Sequence, residues 1–245
     1  MFDRHFEVFL ADTEESRNIH YNIRYQVYCE EMEFENKGDF PQEMEFDEDD
    51  NKSIHFIVRN KVTEDWVGAM RLIFKKDALL PIEKNCKINE KIVTNHFLEA
   101  VELSRLCLIK DVRRGFVDID PPHGILGDEN KVKESDKIKL MPTNKKINRM
   151  IIWGLIYAAA KYCVNNNISN WYFMTTSALA RLLCRGGLNL MSIGEPCQHK
   201  GERFPFKMNA LQAYQSHIWK GGVNKDYRVF SESDDISTEK FVSVA

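Results

Sequence analysis

Gly68-Ala69-Met70-Arg71-Leu72-Ile73-Phe74 and Ala100-Val101-Glu102-Leu103-Ser104-Arg105-Leu106-Cys107-Leu108-Ile109 are two strand-length apolar runs, each interrupted by charge. Their enrichment in aliphatic residues, without the spacing of a helix face, predicts central strands of a sheet. A lone guanidinium or carboxylate buried in such a strand costs several kcal/mol, roughly, unless it is paired or used. Arg71, Glu102 and Arg105 therefore belong either to a structural ion-pair network or to a functional site. Two further clusters join them: Arg24, and the acidic group Glu45, Asp47 and Asp50. Taken together, the four clusters favour a site.

Outward from these runs the pattern alternates strands and helices. Phe6–Ala11 suits a first strand. Asp12-Thr13-Glu14-Glu15 then offers an N-cap and an acidic first turn for a helix running to about Glu31, with Ile19, Ile23 and Val27 on its apolar face. Residues 30–50 hold eleven acidic residues and one lysine, with Gly38 and Pro41, the composition of a long loop. Ile54–Arg59 and Trp66–Phe74 predict neighbouring strands joined by a hairpin turn. Residues 76–98 are ambiguous. From about 111 to 148 the chain is polar and Pro-rich, a long insert. Arg149–Val164 predicts an apolar helix, Trp171–Thr175 a buried strand, Ser177–Arg185 a helix closed by Gly186-Gly187, Arg203–Met208 a late strand and Ala210–Trp219 a last helix. Residues 1–220 then form one α+β domain with a mostly antiparallel sheet, followed by a C-terminal tail, 221–245.

The bulk numbers exclude several classes. The chain has 245 residues, 43% hydrophobic and 29% charged, which is ordinary for a globular domain with a sizeable core. A formal net charge of -3 argues against general nucleic-acid binding. No run approaches the about eighteen apolar residues of a membrane span, and no signal peptide opens the chain, so a cytoplasmic location is expected. The six cysteines show no C-x-x-C pair and no zinc spacing, and are expected to act as small apolar residues in a reducing compartment. No metal is implied.

The order of motifs resembles a known family. Ile23-Arg24-Tyr25-Gln26-Val27-Tyr28, Phe34-Glu35, Met44-Glu45-Phe46-Asp47-Glu48-Asp49-Asp50, Arg71 and Glu102-Leu103-Ser104-Arg105 are similar to the acyl-homoserine-lactone synthases. His20-Tyr21-x-x-Arg24, Glu102-Leu103-Ser104-Arg105-Leu106 and His199-Lys200-Gly201-x-Arg203-x-Pro205 resemble a sister branch more closely, the acyltransferases of the exosortase (PEP-CTERM) system and the long-chain N-acyl amino acid synthases. The resemblance covers about residues 6–220. It implies a GNAT-like acyltransferase fold in which two parallel strands splay apart to admit a thioester donor.

What the resemblance implies for the site can be set beside the chemistry. Acyl transfer to an amine needs an unprotonated nitrogen, a positioned thioester and a stabilised oxyanion. Glu102 is the expected base, with Ser104 and Arg105 completing the catalytic set. Arg24, Glu45, Asp47, Asp50 and Arg71 are the expected acceptor-binding group, with a scaffold of ion pairs as the alternative. The donor would lie against Leu106, Cys107 and Leu108, with Arg113 and Arg114 joining Lys145, Lys146 and Arg149 in a basic patch for an acidic carrier protein. Trp153, Ile156, Phe173, Met174 and Leu182 are either the wall of an acyl tunnel or plain core. Val112-Arg113-Arg114-Gly115-Phe116-Val117 departs from the Q/R-x-x-G-x-G/A turn that cradles coenzyme A pyrophosphate. That favours acyl carrier protein over acyl-CoA as the donor's carrier, with no tightly bound cofactor. The expected activity is transfer of a long fatty acyl group to the α-amine of a small acceptor. A lactone synthase using S-adenosylmethionine and a non-catalytic acyl-binding module are the alternatives.

Overall fold

Thr13 stops the first strand from running on. Its side chain accepts the Ser16 N–H at 3.2 Å, and Glu14 and Glu15 occupy the first turn of the helix it caps. This computed structural model describes residues 2–76, 78–93, 99–114, 144–219 and 227–232. The strands are β1 (Phe6–Leu10), β2 (Ser53–Asn60), β3 (Trp66–Phe74), β4 (Glu99–Leu108), β5 (Ile168–Thr175), β6 (Met191–Ser192), β7 (Cys197–Gln198), β8 (Glu202–Asn209) and β9 (Arg228–Val229). The helices are α1 (Phe2–His5), α2 (Glu14–Tyr25), α3 (Pro81–Asn85), α4 (Lys110–Arg114), α5 (Asn144–Asn165), α6 (Ser177–Arg185) and α7 (Ala210–Tyr214).

The nine strands form one sheet in the order β6-β8-β5-β4-β3-β2-β1-β9, with β7 paired to β8. Only β4–β5 and β1–β9 run parallel, so the expected α+β fold with a mixed, mostly antiparallel sheet is what the chain adopts. Seven consecutive residues of β3, Val67–Ile73, are buried, because helices cover both sheet faces. On one face Phe56, Met70, Leu72 and Val101 pack beneath α5 with Ile151 and Leu155. On the other, Phe9, Ile57 and Ala69 pack beneath α2 with Ile23 and Val27. Among the described residues no helix is long and apolar enough to cross a membrane.

Three departures from the sequence reading matter. The helix expected to reach Glu31 changes pitch at Gln26, and Gln26–Glu31 form a wider π-helical turn. Such turns re-aim side chains and recur at functional sites. The tail expected from 221 is not wholly separate: β9 joins β1, Phe230 is buried beside Phe9, and the Ser231 hydroxyl donates to Asp12 at 2.6 Å. Cys86 and Cys197 are joined by a disulfide, which corrects the reading of all six cysteines as small reduced residues. Residues 86–89 and 193–197 are brought together by the Ile88–Gly194 bridge and by the Asn89 N–H, which donates to the Ile193 carbonyl at 2.6 Å. The insert is helical at both ends, at α4 and the start of α5, while residues 115–143 lie outside the described residues.

Gly194 sits where those two segments touch. A Cβ there would stand 2.3 Å from the Lys87 carbonyl oxygen and 3.0 Å from Ile88 Cα, both backbone atoms that cannot swing aside. Gly194→Ala is expected to cost about 1–3 kcal/mol of unfolding free energy. Gly38→Ala, which meets only ordinary contacts, serves as the control. Urea denaturation that gave both variants the same midpoint would refute this account of the crossing.

Candidate active site

Four segments of unlike origin converge on Asp50. Arg24 comes from the last turn of α2, His55 from β2 and Arg71 from the middle of β3, while Asp47 caps and Asp50 lies within a short 3-10 turn, Glu48–Lys52, in the acidic loop. Arg24 Nη1 is 2.6 Å and Arg71 Nη1 2.7 Å from Asp50 Oδ1, and His55 Nε2 is 3.0 Å from the same oxygen. Asp50 Oδ2 accepts the Asp47 N–H at 2.7 Å. Arg71 also grips Asp47 with both ends of its fork, at 2.6 and 2.7 Å. Arg24 Nε donates to Glu45 Oε2 at 2.5 Å, and Arg105 Nη2 reaches Glu45 Oε1 at 3.0 Å and Asp47 Oδ2 at 3.2 Å.

Electrostatics follows from this packing. Burial alone would raise the carboxyl of Asp50, but the hydrogen bond from His55 and the charges of Arg24 and Arg71 hold it far below the usual carboxylate range. Glu45 is likewise penalised by burial and still held down by Arg24 and Arg105. Arg24 is 0% exposed, and its guanidinium keeps its charge against burial through Glu45 and Asp50.

Glu102 stands apart from this network. It is 1% exposed, and its Oε2 accepts the Ile82 N–H of α3 at 2.8 Å. Burial pushes its carboxyl up to about 8, against the smaller opposing pulls of the Ile82 hydrogen bond and Arg71. Glu102 and the Glu45, Asp47 and Asp50 cluster are thus tuned in opposite directions.

β4 itself is deformed where the chemistry is expected. Ser104 pairs with Arg71 and Cys107 with Ala69, three steps on β4 against two on β3, so β4 carries one extra residue. Arg105 lies in this bulge with φ 54, a left-handed backbone that non-glycine residues rarely adopt. The bulge turns Arg105 over the Tyr28 ring, 5.3 Å from its centroid, and into the carboxylates of the acidic loop. On the other edge of β4 the parallel pairing with β5 ends at Glu102–Tyr172. Beyond that point the strands part, and the Leu103–Cys107 edge has no ladder partner on β5.

The parting opens a cleft of about 410 Å³. Glu102, Ser104, Arg105, Leu106, Cys107 and Leu108 form one wall, and Phe173 and Met174 lie across from it. Ile152 and Ile156 of α5, Leu179 and Leu183 of α6 and Met208 of β8 make one end apolar. Tyr28, Phe34 and Glu35 close the other end, with His199, Lys200 and Arg203 from the β7–β8 hairpin.

The expected acceptor-binding set is placed differently. Arg24, Glu45, Asp47, Asp50 and Arg71 do not line this cleft; they form the buried support behind Arg105. Both oxygens of Glu45 and both of Asp50 are already engaged, and only Asp47, with a side chain 28% exposed, approaches solvent. Trp153 also falls outside the cleft, stacked edge-on against Trp219 at 5.9 Å and lying over Gly186. Leu182 is replaced in the lining by its neighbours Leu179 and Leu183. The Cys107 thiol is pushed up to about 12, chiefly by burial, which keeps it protonated and makes it a wall rather than a nucleophile. The side chains of Arg113 and Arg114 lie outside the described residues.

With that geometry in view, comparison places the fold. Residues 23–118 match the profile of the acetyltransferase (GNAT) domain. The chain has the GNAT fold. No curated protein matches it in sequence. Among solved structures it is similar to the acyl-homoserine-lactone synthase LasI, at 16% identity and a TM-score of 0.57, over 91% of this chain and 99% of that one. It is similar to BjaI, a CoA-dependent acyl-homoserine-lactone synthase solved with S-adenosylmethionine and isopentyl-CoA, at 12% identity and a TM-score of 0.60, over 92% of each chain. It is also similar to FeeM, an N-acyl amino acid synthase from uncultured soil microbes, at 9% identity and a TM-score of 0.50, over 88% of this chain and 97% of that one.

Two expectations come from the network. Removing one member of a buried ion cluster leaves the others uncompensated, so Asp50→Asn is expected to lower stability by about 3–5 kcal/mol, measured by denaturant unfolding. His20 is fully buried against the His55 ring at 4.6 Å, and neither of its ring nitrogens has a hydrogen-bond partner among the described residues. Burial, then the nearby His55 and Arg24, drives its pKa well below 6.5. Its contribution is therefore fully present above about pH 6.5 and is lost as pH falls below that value, because only the unfolded chain takes up the proton. His20→Phe should be neutral or stabilising at pH 7 and should flatten the loss of stability between about pH 6.5 and 5. A variant as acid-sensitive as the parent would exclude His20 from that transition.

Proposed function

We propose that this chain is an N-acyltransferase that moves a long fatty acyl group from a carrier-protein thioester to the α-amine of a small, amino-acid-like acceptor. The observation that carries this is a cleft between parting parallel strands, apolar at one end, with an elevated carboxyl in its lining where the strands begin to part. The apolar end suits an acyl chain: each buried methylene contributes about 0.8 kcal/mol before ordering costs. The unpartnered edge of β4 offers backbone N–H groups to the thioester carbonyl and to the oxyanion it becomes.

Glu102 suits the proton transfer. An α-amine has a reference pKa near ~8, and a carboxyl raised to about 8 takes its proton with almost no energetic mismatch. In the reaction the ammonium gives one proton to ionised Glu102, and the free amine attacks the thioester carbon. The tetrahedral intermediate collapses with cleavage of the C–S bond. The departing thiolate takes the second nitrogen proton, leaving an amide and a thiol. Arg105, held by the bulge and the acidic network, sets the polar end without donating a proton.

The carrier-protein assignment rests on the sequence departure at Val112–Val117 and on the motifs shared with the exosortase-associated branch. Acyl-CoA as donor is the competing reading, favoured by the fold's likeness to a CoA-dependent synthase. Side-by-side turnover with acyl carrier protein and acyl-CoA carrying the same chain separates them.

Glu102→Gln keeps the shape and removes the titration. Its kcat/KM is expected to fall about 10²–10⁴-fold. The wild-type group, with its raised folded pKa, stabilises the protein fully below about pH 4.5, and this contribution is lost as pH rises through about 8. Glu102→Gln should therefore lose less stability than wild type between about pH 5 and 8. Activity within about threefold of wild type, by mass spectrometry of the N-acyl product, would remove Glu102 from the mechanism.

A further inference from the structure

The β7–β8 hairpin turns through His199–Gly201, with Lys200 at φ 52 and Gly201 at φ 93. This tight left-handed turn folds the hairpin over the polar end of the cleft and brings His199, Lys200 and Arg203 to its lining. Their charges are not equally spent. Lys200 Nζ lies 2.7 Å from Glu35 Oε2 and also donates to the Phe34 carbonyl, so it pins the chain after the π-helical turn. The Arg105 guanidinium is shared among Glu35, Glu45 and Asp47. Arg203 is different: its one hydrogen bond among the described residues runs from Nη1 to the Glu202 carbonyl at 3.0 Å, and none of the described carboxylates pairs with it. Burial, together with the cations of Arg105, Lys200 and Arg203, lowers the pKa of His199, as expected where positive charge is in excess.

A half-buried arginine lining a cleft, with only Nη1 of its fork engaged, is a receptor for a planar anion. If the acceptor is an α-amino acid, its carboxylate lies one carbon from the attacked nitrogen. Its subsite must then share the cleft with the base. Arg203 and Glu102 line the same 410 Å³ space. We propose that Arg203, flanked by His199, is the subsite for the acceptor's carboxylate, fixing which end of the acceptor faces the thioester and limiting it to free amino acids. This rests on the acyltransferase reading above. The other anion of the reaction, the phosphate of the donor's pantetheine arm, has related chemistry, and the experiment separates the two.

The experiment compares wild type with Arg203→Gln, Arg203→Lys and His199→Gln, using free amino acids and their carboxamides as paired acceptors. Wild type is expected to prefer the free acid by about 10- to 100-fold in kcat/KM, the range for a hydrogen bond to a charged group. Arg203→Gln should raise KM for the free acid by a similar factor, erase the preference over the carboxamide, and leave the donor KM within about twofold. Arg203→Lys should restore part of the preference, and His199→Gln should weaken it less than Arg203→Gln. An unchanged preference in Arg203→Gln overturns the proposal, and so does a rise confined to the donor KM, which would assign Arg203 to the phosphate. Thermal shifts with the same acids and carboxamides, without donor, keep the two readings apart. If wild type acylates no amine yet free amino acids stabilise it and not Arg203→Gln, the acyltransferase reading fails and the subsite stands. If wild type acylates amines with no dependence on Arg203, the reading stands and the subsite falls.

Discussion

One carboxylate oxygen, Asp50 Oδ1, is shared by two guanidinium groups and an imidazole, and the rest of the site hangs from that sharing. Arg24, His55 and Arg71 arrive from a helix and two strands, so the contact fixes three elements against one loop. The loop has little else to hold it. Between Met32 and Asp50 it presents mostly exposed or partly exposed side chains and joins no sheet ladder. Charge pairing therefore does here what apolar burial does elsewhere in the chain. Buried ion clusters of this kind add little net stability over an apolar equivalent, but they tolerate no missing member. The arrangement suits a function in which geometry matters more than stability.

The second constraint is the extra residue in β4. A regular strand would carry Arg105 on the alternation set by its neighbours, and the edge toward β5 would have no cause to separate from it. The bulge stores strain in one residue and in return aims its side chain at Glu45 and Asp47. The acidic network and the strained backbone then support each other. The carboxylates hold the end of the Arg105 side chain, and Arg105 joins Arg24 and Arg71 in keeping those carboxylates ionised.

Most of the scaffold was legible in the residues. Thr13 announced its helix, two apolar runs separated by the short polar stretch 60–65 announced a hairpin, and Arg71, Glu102 and Arg105 announced themselves as charges that strands do not bury idly. The ion-pair scaffold joining the acidic loop to Arg24 and Arg71 was open as one of two readings of those residues. Whether those groups touch a ligand was not legible, because composition cannot distinguish a carboxylate with both oxygens engaged from one with an oxygen to spare. The lining of the apolar end was missed by one helical position in two places, Trp153 for Ile152 and Leu182 for Leu183. Helix α5 is apolar nearly all round, so its periodicity could not choose a face. Glu35, Tyr28 and Phe34 lay in plain view in a motif, but only the π-helical turn brings them to the cleft. The disulfide could not be read at all, since 111 residues separate its cysteines and only the fold brings their Cα atoms to 5.2 Å.

That cross-link joins parts of the cleft that are otherwise far apart along the chain. Cys86 follows directly on α3, whose Ile82 amide holds Glu102, and Cys197 begins the hairpin that carries His199, Lys200 and Arg203. The hairpin over the polar end and the segment behind Glu102 are thus one mechanical unit. A lever runs from the cleft-lining hairpin to the amide behind the carboxyl, and its pivot is covalent. Displacement of the hairpin would be transmitted to the Ile82 peptide, whose N–H opposes the burial-driven rise of the Glu102 carboxyl. On the acyltransferase reading, the position of the hairpin and the acidity of Glu102 would share a single degree of freedom.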